Sequence, residues 1–502
     1  MDEVLEAQAR GGAQPDIDVD VVIVGAGISG IGSAYHLKTQ LPGKSFVILE
    51  AQDSFGGTWK THKYPGVRSD SDLYTFGYRF KPWVGPPIAT GAEIQKYLGG
   101  VIAENGLDEN IRYQTRIERC SWSSETQTWT VETQGPGGEP GPTYRCTFLW
   151  MCQGYYDHNT PYLPHWKGME DFGGELIHAQ KWREDTDYAG KNVVVIGSGA
   201  TAATVIPAIA RKAAHVTMLQ RSPTYFLCYP NRSDLADRLR LIGVDEETVH
   251  RCARLDYLNN LKTLDYRSKA EPDAVFDELK QAVRAYAGDD FEFAPHFTPR
   301  YRPWQQRVAF IPDGDMFVAI REGKVSVRTD QIDHFTADGI ALGSGEELAA
   351  DMVVAATGFN LSVMGGIEFV VDGRTVDWGE TATYRGMMFT GVPNLVWVFG
   401  YFRAAWTLRV DLLGDFVCRL LAHMDEQGAR QVDLVVPEGA EGDALMPWIE
   451  GDNFNPGYLM REIDKLPKRL GERPEWRHTQ DYWREAEDIP AIDLAGSEFA
   501  YR

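Results

Sequence analysis

Val19-Asp20-Val21-Val22-Ile23-Val24-Gly25-Ala26-Gly27-Ile28-Ser29-Gly30 is the stretch that decides the fold. Residues 19–24 form a valine- and isoleucine-rich run, the pattern of a parallel strand buried on both faces. A Gly-x-Gly-x-x-Gly turn follows, then a helical pattern over 31–37 and a second strand over 46–49 ending at Glu50. Alone, such a turn says little. Between strand and helix, with an acid 25 positions after Gly25, it opens a dinucleotide-binding unit. Gly25 permits the tight turn, and Gly27 lets a pyrophosphate approach the helix N-terminus, where free N–H groups and the dipole favour anions. Gly30 lets the helix pack on the strand, and Glu50 is expected to accept hydrogen bonds from ribose hydroxyls.

The pattern recurs. Residues 193–196 form a strand, Gly197-Ser198-Gly199-Ala200-Thr201-Ala202 the turn, and a helix is expected from about Ala203. Ala202 in place of the third glycine is an accepted variant. The next strand, 216–219, ends in Gln220-Arg221-Ser222-Pro223. Arg221 thus stands where the first unit has Glu50. A carboxylate there binds a free 2′-hydroxyl and repels a phosphate, whereas an arginine does the reverse. The first site should take an unphosphorylated adenosine and the second NADP(H). One tightly held redox cofactor and one diffusing nicotinamide explain the pair, since hydride must pass between stacked rings. The expected fold is α/β, with two Rossmann-like dinucleotide-binding domains (FAD and NADP) and a helical insertion in the second. Residues 1–160 and 385–502 are assigned to the first domain, 165–230 and 305–380 to the second, and 231–304 to the insertion.

Other segments fill this frame. Gly56-Gly57-Thr58-Trp59 offers close backbone approach and a flat ring, and Tyr64-Pro65-Gly66 is a rigid turn delivering Arg68 and Asp70. Residues 128–132 and 144–150 read as strands joined by the glycine–proline loop 135–142. His178 and Trp182, by themselves, are packing residues with no metal-ligand spacing around them. Val275, Leu279, Ala282, Val283 and Tyr286 recur at helical spacing until Gly288 stops them, as a helix that helps enclose a substrate. Residues 299–307 carry three arginines in a loop. Residues 352–359 close the second domain, 393–400 return the chain to the first, and a helix over 408–421 follows Trp406. The tail from 472 should pack along the first domain, and residues 1–17 read as a frayed arm.

Composition excludes several classes. Lys and Arg number 50 against 72 Asp and Glu, a net charge of −22 that disfavours nucleic acid and anionic membranes. No apolar run approaches the roughly 18 residues of a membrane span. The acidic start Met1-Asp2-Glu3 lacks a signal peptide's features. Six scattered cysteines without a Cys-x-x-Cys pair argue against zinc and dithiol chemistry and fit a reducing, cytoplasmic setting.

Three fingerprints in order now carry a family resemblance. Gly56-Gly57-x-Trp59-(four)-Tyr64-Pro65-Gly66-(three)-Asp70, and Phe172-x-Gly174-(three)-His178-(three)-Trp182 between the two glycine turns, resemble the type I Baeyer–Villiger monooxygenases, class B flavoprotein monooxygenases. Residues 64–72, Pro303-Trp304-x-Gln306-Arg307, Gly386-Met387-Met388 and Ala405-Trp406-Thr407-Leu408 are most similar to the ethionamide-activating branch. Arg183 departs from the fingerprint's usual Pro or Asp. Gln306 stands where many relatives have a lysine near the NADP phosphate, which leaves more of that task to Arg221.

The resemblance implies FAD reduced by NADPH, a C4a-peroxyflavin formed with O2, and insertion of one oxygen beside a ketone carbonyl to give an ester or lactone, with sulfoxidation of thioethers possible. It assigns Arg307 as the active-site arginine and Asp70 as its electrostatic partner. Gly25, Gly27, Ser29, Gly30, Glu50, Gly57, Thr58, Trp59, Asp70 and Ile117 become the expected FAD contacts. Arg68, Ser69, Gly197, Ser198, Gly199, Ala200, Thr201, Ala202, Arg221 and Ser222 become those of NADP, with Trp406 facing substrate and no metal. His178 couples the domains. An N- or S-hydroxylating flavin monooxygenase and a flavin-binding protein without turnover remain alternatives. The missing cysteine pair argues against a disulfide reductase.

Overall fold

The computed structural model describes residues 17–502 apart from 441 and 452. The arm expected at the N-terminus lies, up to residue 16, outside the described residues. The valine-rich run forms the strand Ile17–Val24, which pairs in parallel with Phe46–Leu49 on one side and Tyr144–Met151 on the other. Ile28–Gln40 is the helix between the first two. Thr128–Gln134 pairs antiparallel with Tyr144–Met151 across the glycine–proline loop and continues to Arg116–Ser123. The sheet has nine strands, and Leu395–Trp397 returns to pair with Tyr144–Met151.

A second sheet of five parallel strands runs in the order Val325–Thr329, His215–Gln220, Asn192–Ile196, Met352–Ala355, Glu175–His178. Its fully buried valines explain the continuous apolar runs. The Ala200–Ile209 helix starts three residues earlier than expected. Gly199 caps it with φ −77°, ψ −172°, and Gly27 caps the first unit's helix with φ −78°, ψ −173°, so the two turns share one backbone geometry.

Two crossings join the units. Tyr156–Pro161 pairs antiparallel with Phe359–Leu361. Glu368–Val371 then pairs with Arg119–Trp122 of the first sheet. The chain has therefore rejoined the first sheet by residue 368, ahead of the boundary expected at 380–385; the strand is too short to be told from loop in the sequence.

The insertion consists of helices Asp234–Leu241, Glu246–Ala270 and Pro272–Ala287. Ala236, Val249, Ala253 and Leu258 bury in the first unit's core, whereas Val283 and Ala287 bury in the second's. It bridges the units. In the tail, Trp476, Ile489, Ile492 and Phe499 join the core that holds Ile31 and Leu37. Fully buried Arg409 ties the tail down, its Nε donating to Glu485 at 2.9 Å. Tyr401 and Thr479 donate to the same carboxylate at 2.7 and 2.8 Å.

Candidate active site

A cavity of about 720 Å3 opens between the two units. Its first-unit end is built by two facing glycines. Gly57 has φ +54°, and a Cβ there would sit 3.2 Å from the Gly27 Cα. The Ile28–Gln40 helix presents its N-terminus here with no side-chain cap and no acid in its first turn, which leaves its N–H groups open to an anion. Glu50 is buried, and its carboxylate accepts from the amides of Ala26 at 2.7 Å and Gln52 at 2.8 Å. Burial raises its pKa and those amides oppose the rise. Ser29 Oγ accepts from Trp406 Nε1 at 2.7 Å, which fixes the indole at the cavity wall, stacked 5.3 Å from Tyr155. Trp59 meets Phe76 edge-to-face at 5.8 Å.

The second unit contributes Gly199, Ala200 and Thr201, again at a helix N-terminus without side-chain cap or acid. The Tyr64-Pro65-Gly66 turn reaches across to this helix. Tyr64 is buried in the second unit's core, and a Cβ on Gly66, at φ +78°, would lie 2.7 Å from the Ala208 Cβ. The turn therefore docks the stretch carrying Arg68 and Asp70 onto the second unit.

Arg307 and Asp70 meet in the cavity wall. Arg307 Nε lies 2.7 Å from Asp70 Oδ2, and Nη2 donates to Oδ1 at 2.9 Å, a two-point pair across 237 positions of sequence. Each side chain is about a third exposed, 36% and 28%, and both line the cavity. Burial works against the guanidinium's charge, but the Asp70 carboxylate holds its pKa above the ordinary arginine value. This is a permanently cationic, donor-only group.

Of the expected contacts, Gly25, Gly27, Ser29, Glu50, Gly57, Thr58, Trp59, Ser69, Asp70, Ile117, Gly199, Ala200, Thr201, Arg307 and Trp406 line this cavity. Arg68 lines it too, but its guanidinium is already bidentate to Asp315 at 2.6 and 3.1 Å. Gly30, Gly197, Ser198, Ala202, Arg221 and Ser222 do not line it; Arg221 and Ser222 are exposed just past the His215–Gln220 strand. His178 and Trp182 are buried in the second unit, where His178 Nδ1 accepts from the Gln180 amide at 3.1 Å. From the insertion only Tyr301 reaches the cavity among the described residues, so the helices do not enclose it as expected. The apolar stripe of Pro272–Ala287 packs against the second unit instead.

Other wall residues, Gln153, Tyr155, Tyr156, His158, Phe359 and Tyr458, belong to none of the motifs. Only the Tyr155-Tyr156 doublet was a visible signal. His62 lay inside the quoted fingerprint without a role. Burial, and the neighbouring His158 and His178, push its pKa down to about 4. His62 Nδ1, His158 Nδ1 and Gln153 Oε1 are buried without a partner.

The FAD-containing monooxygenase EthA of Mycobacterium tuberculosis is 44% identical to this chain over 491 residues, 96% of this chain and 98% of the relative. The chain belongs to the FAD-containing monooxygenases. The family profile described as pyridine nucleotide-disulphide oxidoreductase matches residues 22–227. All six cysteines of this monooxygenase are free thiols, so that match carries the nucleotide-binding fold and not a disulfide. Among solved structures, a steroid monooxygenase bound to NADP aligns with a TM-score of 0.73 at 23% identity, over 96% of this chain and 99% of its own. A cyclohexanone monooxygenase from Rhodococcus sp. Phi1 bound to NADP+ gives 0.71 at 22%, over 97% and 100%. Both share the fold. No helix among the described residues is long and apolar enough to cross a membrane.

Proposed function

We propose that this monooxygenase uses NADPH and O2 to insert one oxygen beside a ketone carbonyl, giving an ester or lactone, and that it oxygenates thioethers as a secondary capacity. The observation that carries this reading is the two-point Arg307–Asp70 pair in a cavity reached by both nucleotide units.

The residues present fit both cofactors. Facing Gly27 and Gly57 leave open the space a side chain would fill, beside an uncapped helix N-terminus suited to a pyrophosphate. Glu50 suits a ribose. Gly199, Ala200 and Thr201 offer a second anion site, with exposed Arg221 at the strand end suited to a 2′-phosphate. Gln306 lines the cavity, where its Nε2 donates to Asn455 at 3.3 Å; being uncharged, it leaves Arg221 the main source of positive charge for that phosphate.

Bound FAD, reduced by NADPH, supplies the activated oxygen. The chain's own residues manage charge and water. Arg307 cannot lose its proton near pH 7, so it stabilises negative charge developing at the substrate oxygen without quenching it. Asp70 aligns the guanidinium and neutralises it between turnovers. The aromatic wall of Trp59, Tyr155 and Trp406 keeps water from the reacting oxygen.

The test is product analysis of the holoenzyme with linear, cyclic and aryl ketones, one thioether and one amine, under NADPH and then NADH. Esters or lactones under NADPH support the reading; N-oxide formation with no ester refutes it in favour of the hydroxylating class. Arg307→Ala is expected to lower ester formation by at least about a hundredfold, as for loss of one oxyanion donor.

A further inference from the structure

We propose that Ser29 is a positioning residue that ties the substrate wall to the cofactor: its hydroxyl holds the Trp406 indole and donates its own hydrogen bond to the pyrophosphate of bound FAD. What the wall then holds, a ketone, rests on the oxygenating reading above. Ser29 is the second residue of the Ile28–Gln40 helix, is buried, and lines the cavity together with Gly27 and Gly57. Trp406 comes from 377 positions later in the chain and lines the same cavity.

The chemistry of the two groups fixes the direction of the contact. An indole N–H can only donate, so Ser29 Oγ is the acceptor in the 2.7 Å bond from Trp406 Nε1. The hydroxyl therefore keeps its own proton. Among the described residues no protein group takes that proton. The helix N-terminus beside it has no side-chain cap and no acid in its first turn. The group that such an end receives, a pyrophosphate, is an acceptor. A hydroxyl that donates to an anion becomes a stronger acceptor in turn, so the two bonds reinforce each other.

The bond at Nε1 is what locates the indole. The ring lies parallel to Tyr155, at 5.3 Å and 10°, and tilted against Phe399 at 5.4 Å. Gly400 closes one side, where a Cβ would collide with the ring. The backbone is anchored next to it, where Thr407 Oγ1 donates to the Phe76 carbonyl at 2.7 Å. Stacking sets the plane of a ring and leaves it free to slide within that plane. Among the described residues, the hydrogen bond to Ser29 is the directional contact of this side chain. A cofactor that strengthens the bond holds the wall still, and a wall that keeps the bond retains the cofactor, because such coupling is reciprocal.

Ser29→Ala, Trp406→Phe and the double variant test this in the holoenzyme. The first readout is FAD loss on dilution, followed by free-flavin fluorescence with no ketone present. Each single variant should lose FAD about two- to tenfold faster than the wild type, the worth of one hydrogen bond. In the Ser29→Ala background Trp406→Phe should add almost nothing, since the link is already cut; losses that multiply in the double variant would overturn the proposal. The second readout is the Trp406 indole N–H resonance, identified by its absence in Trp406→Phe. It should move upfield in Ser29→Ala, and an unmoved resonance would overturn the proposal as well. If Ser29→Ala does not fold, Ser29→Cys, which keeps the size and weakens both donor and acceptor, takes its place under the same criteria. In turnover, the KM for 4-phenylbutan-2-one, whose ring can stack on the wall, should rise about two- to tenfold in both single variants, with 2-octanone changed by less than about twofold; a parallel rise for both ketones would count against Ser29. The proposed function fails differently, in a wild type that releases no ester; FAD loss and the indole resonance then still decide Ser29.

Discussion

Asp70→Asn tests how far the site depends on one carboxylate. The substitution keeps the side chain's shape and removes its charge. In the wild type two charged hydrogen bonds of 2.7 and 2.9 Å hold the guanidinium. Two unit charges about 4 Å apart attract by about 4 kcal/mol at an effective dielectric constant near 20. Both groups are about a third exposed, and solvent screening reduces that to about 2 kcal/mol. In the variant one carboxylate oxygen becomes an NH2, a donor facing a donor. The guanidinium should leave its aligned position more often, at a cost of about thirtyfold in the step that needs it. The assay is ester formed per NADPH consumed, beside the rate of NADPH oxidation. Oxidation should continue while the yield falls. A variant with wild-type yield would show that Arg307 needs no partner to be positioned, and the account of the pair would be wrong.

Two further outcomes concern stability. Glu485→Gln should cost about 3–5 kcal/mol, because it leaves the fully buried Arg409 charge unpaired; thermal unfolding should show a clear drop, and an unchanged Tm would mean that the tail is not held this way. Acid should also destabilise the fold. Burial pushes the pKa of His62, His178 and His250 down to about 4 and that of His478 to about 3. These groups stay neutral in the folded state while the unfolded chain protonates below about pH 6.5, so stability is present above that pH and lost as pH falls towards 4. Unfolding near pH 5 should take up protons, since these histidines, with His158 and His296, whose pKa burial also lowers, protonate on unfolding, while Glu50 and Asp72, whose raised pKa lets the folded state hold protons, offset part of the uptake. Denaturation that is flat between pH 7 and 5 would contradict this.

The parts of the fold legible in the sequence were those whose physics is local. A buried parallel strand must be apolar throughout, a turn that admits a phosphate must be glycine, and a carboxylate or arginine must follow the second strand. Those demands fall within 32 residues of one another, from Val19 to Glu50, so one chain segment displays them all. The short strand Glu368–Val371 was not legible, because four residues flanked by a turn carry too little periodicity to separate strand from loop. The apolar face of Pro272–Ala287 was legible as buried, but not what it buries against; a helix pattern gives a face, not a partner.

The same distinction runs through the candidate site. Arg307 and Asp70 could each be singled out because each sits in a motif of its own, but their two-point contact spans 237 positions and belongs to no local pattern. Arg68 shows the converse. Its motif suggested an anion ligand, yet Asp315, at the start of the Asp315–Arg321 helix, accepts from both of its Nη nitrogens and makes it a clasp between the units. A local pattern can tell what a side chain is suited to bind. Which of its donors and acceptors are engaged is settled by distant partners, as Asp315 does for Arg68 across 247 positions of sequence.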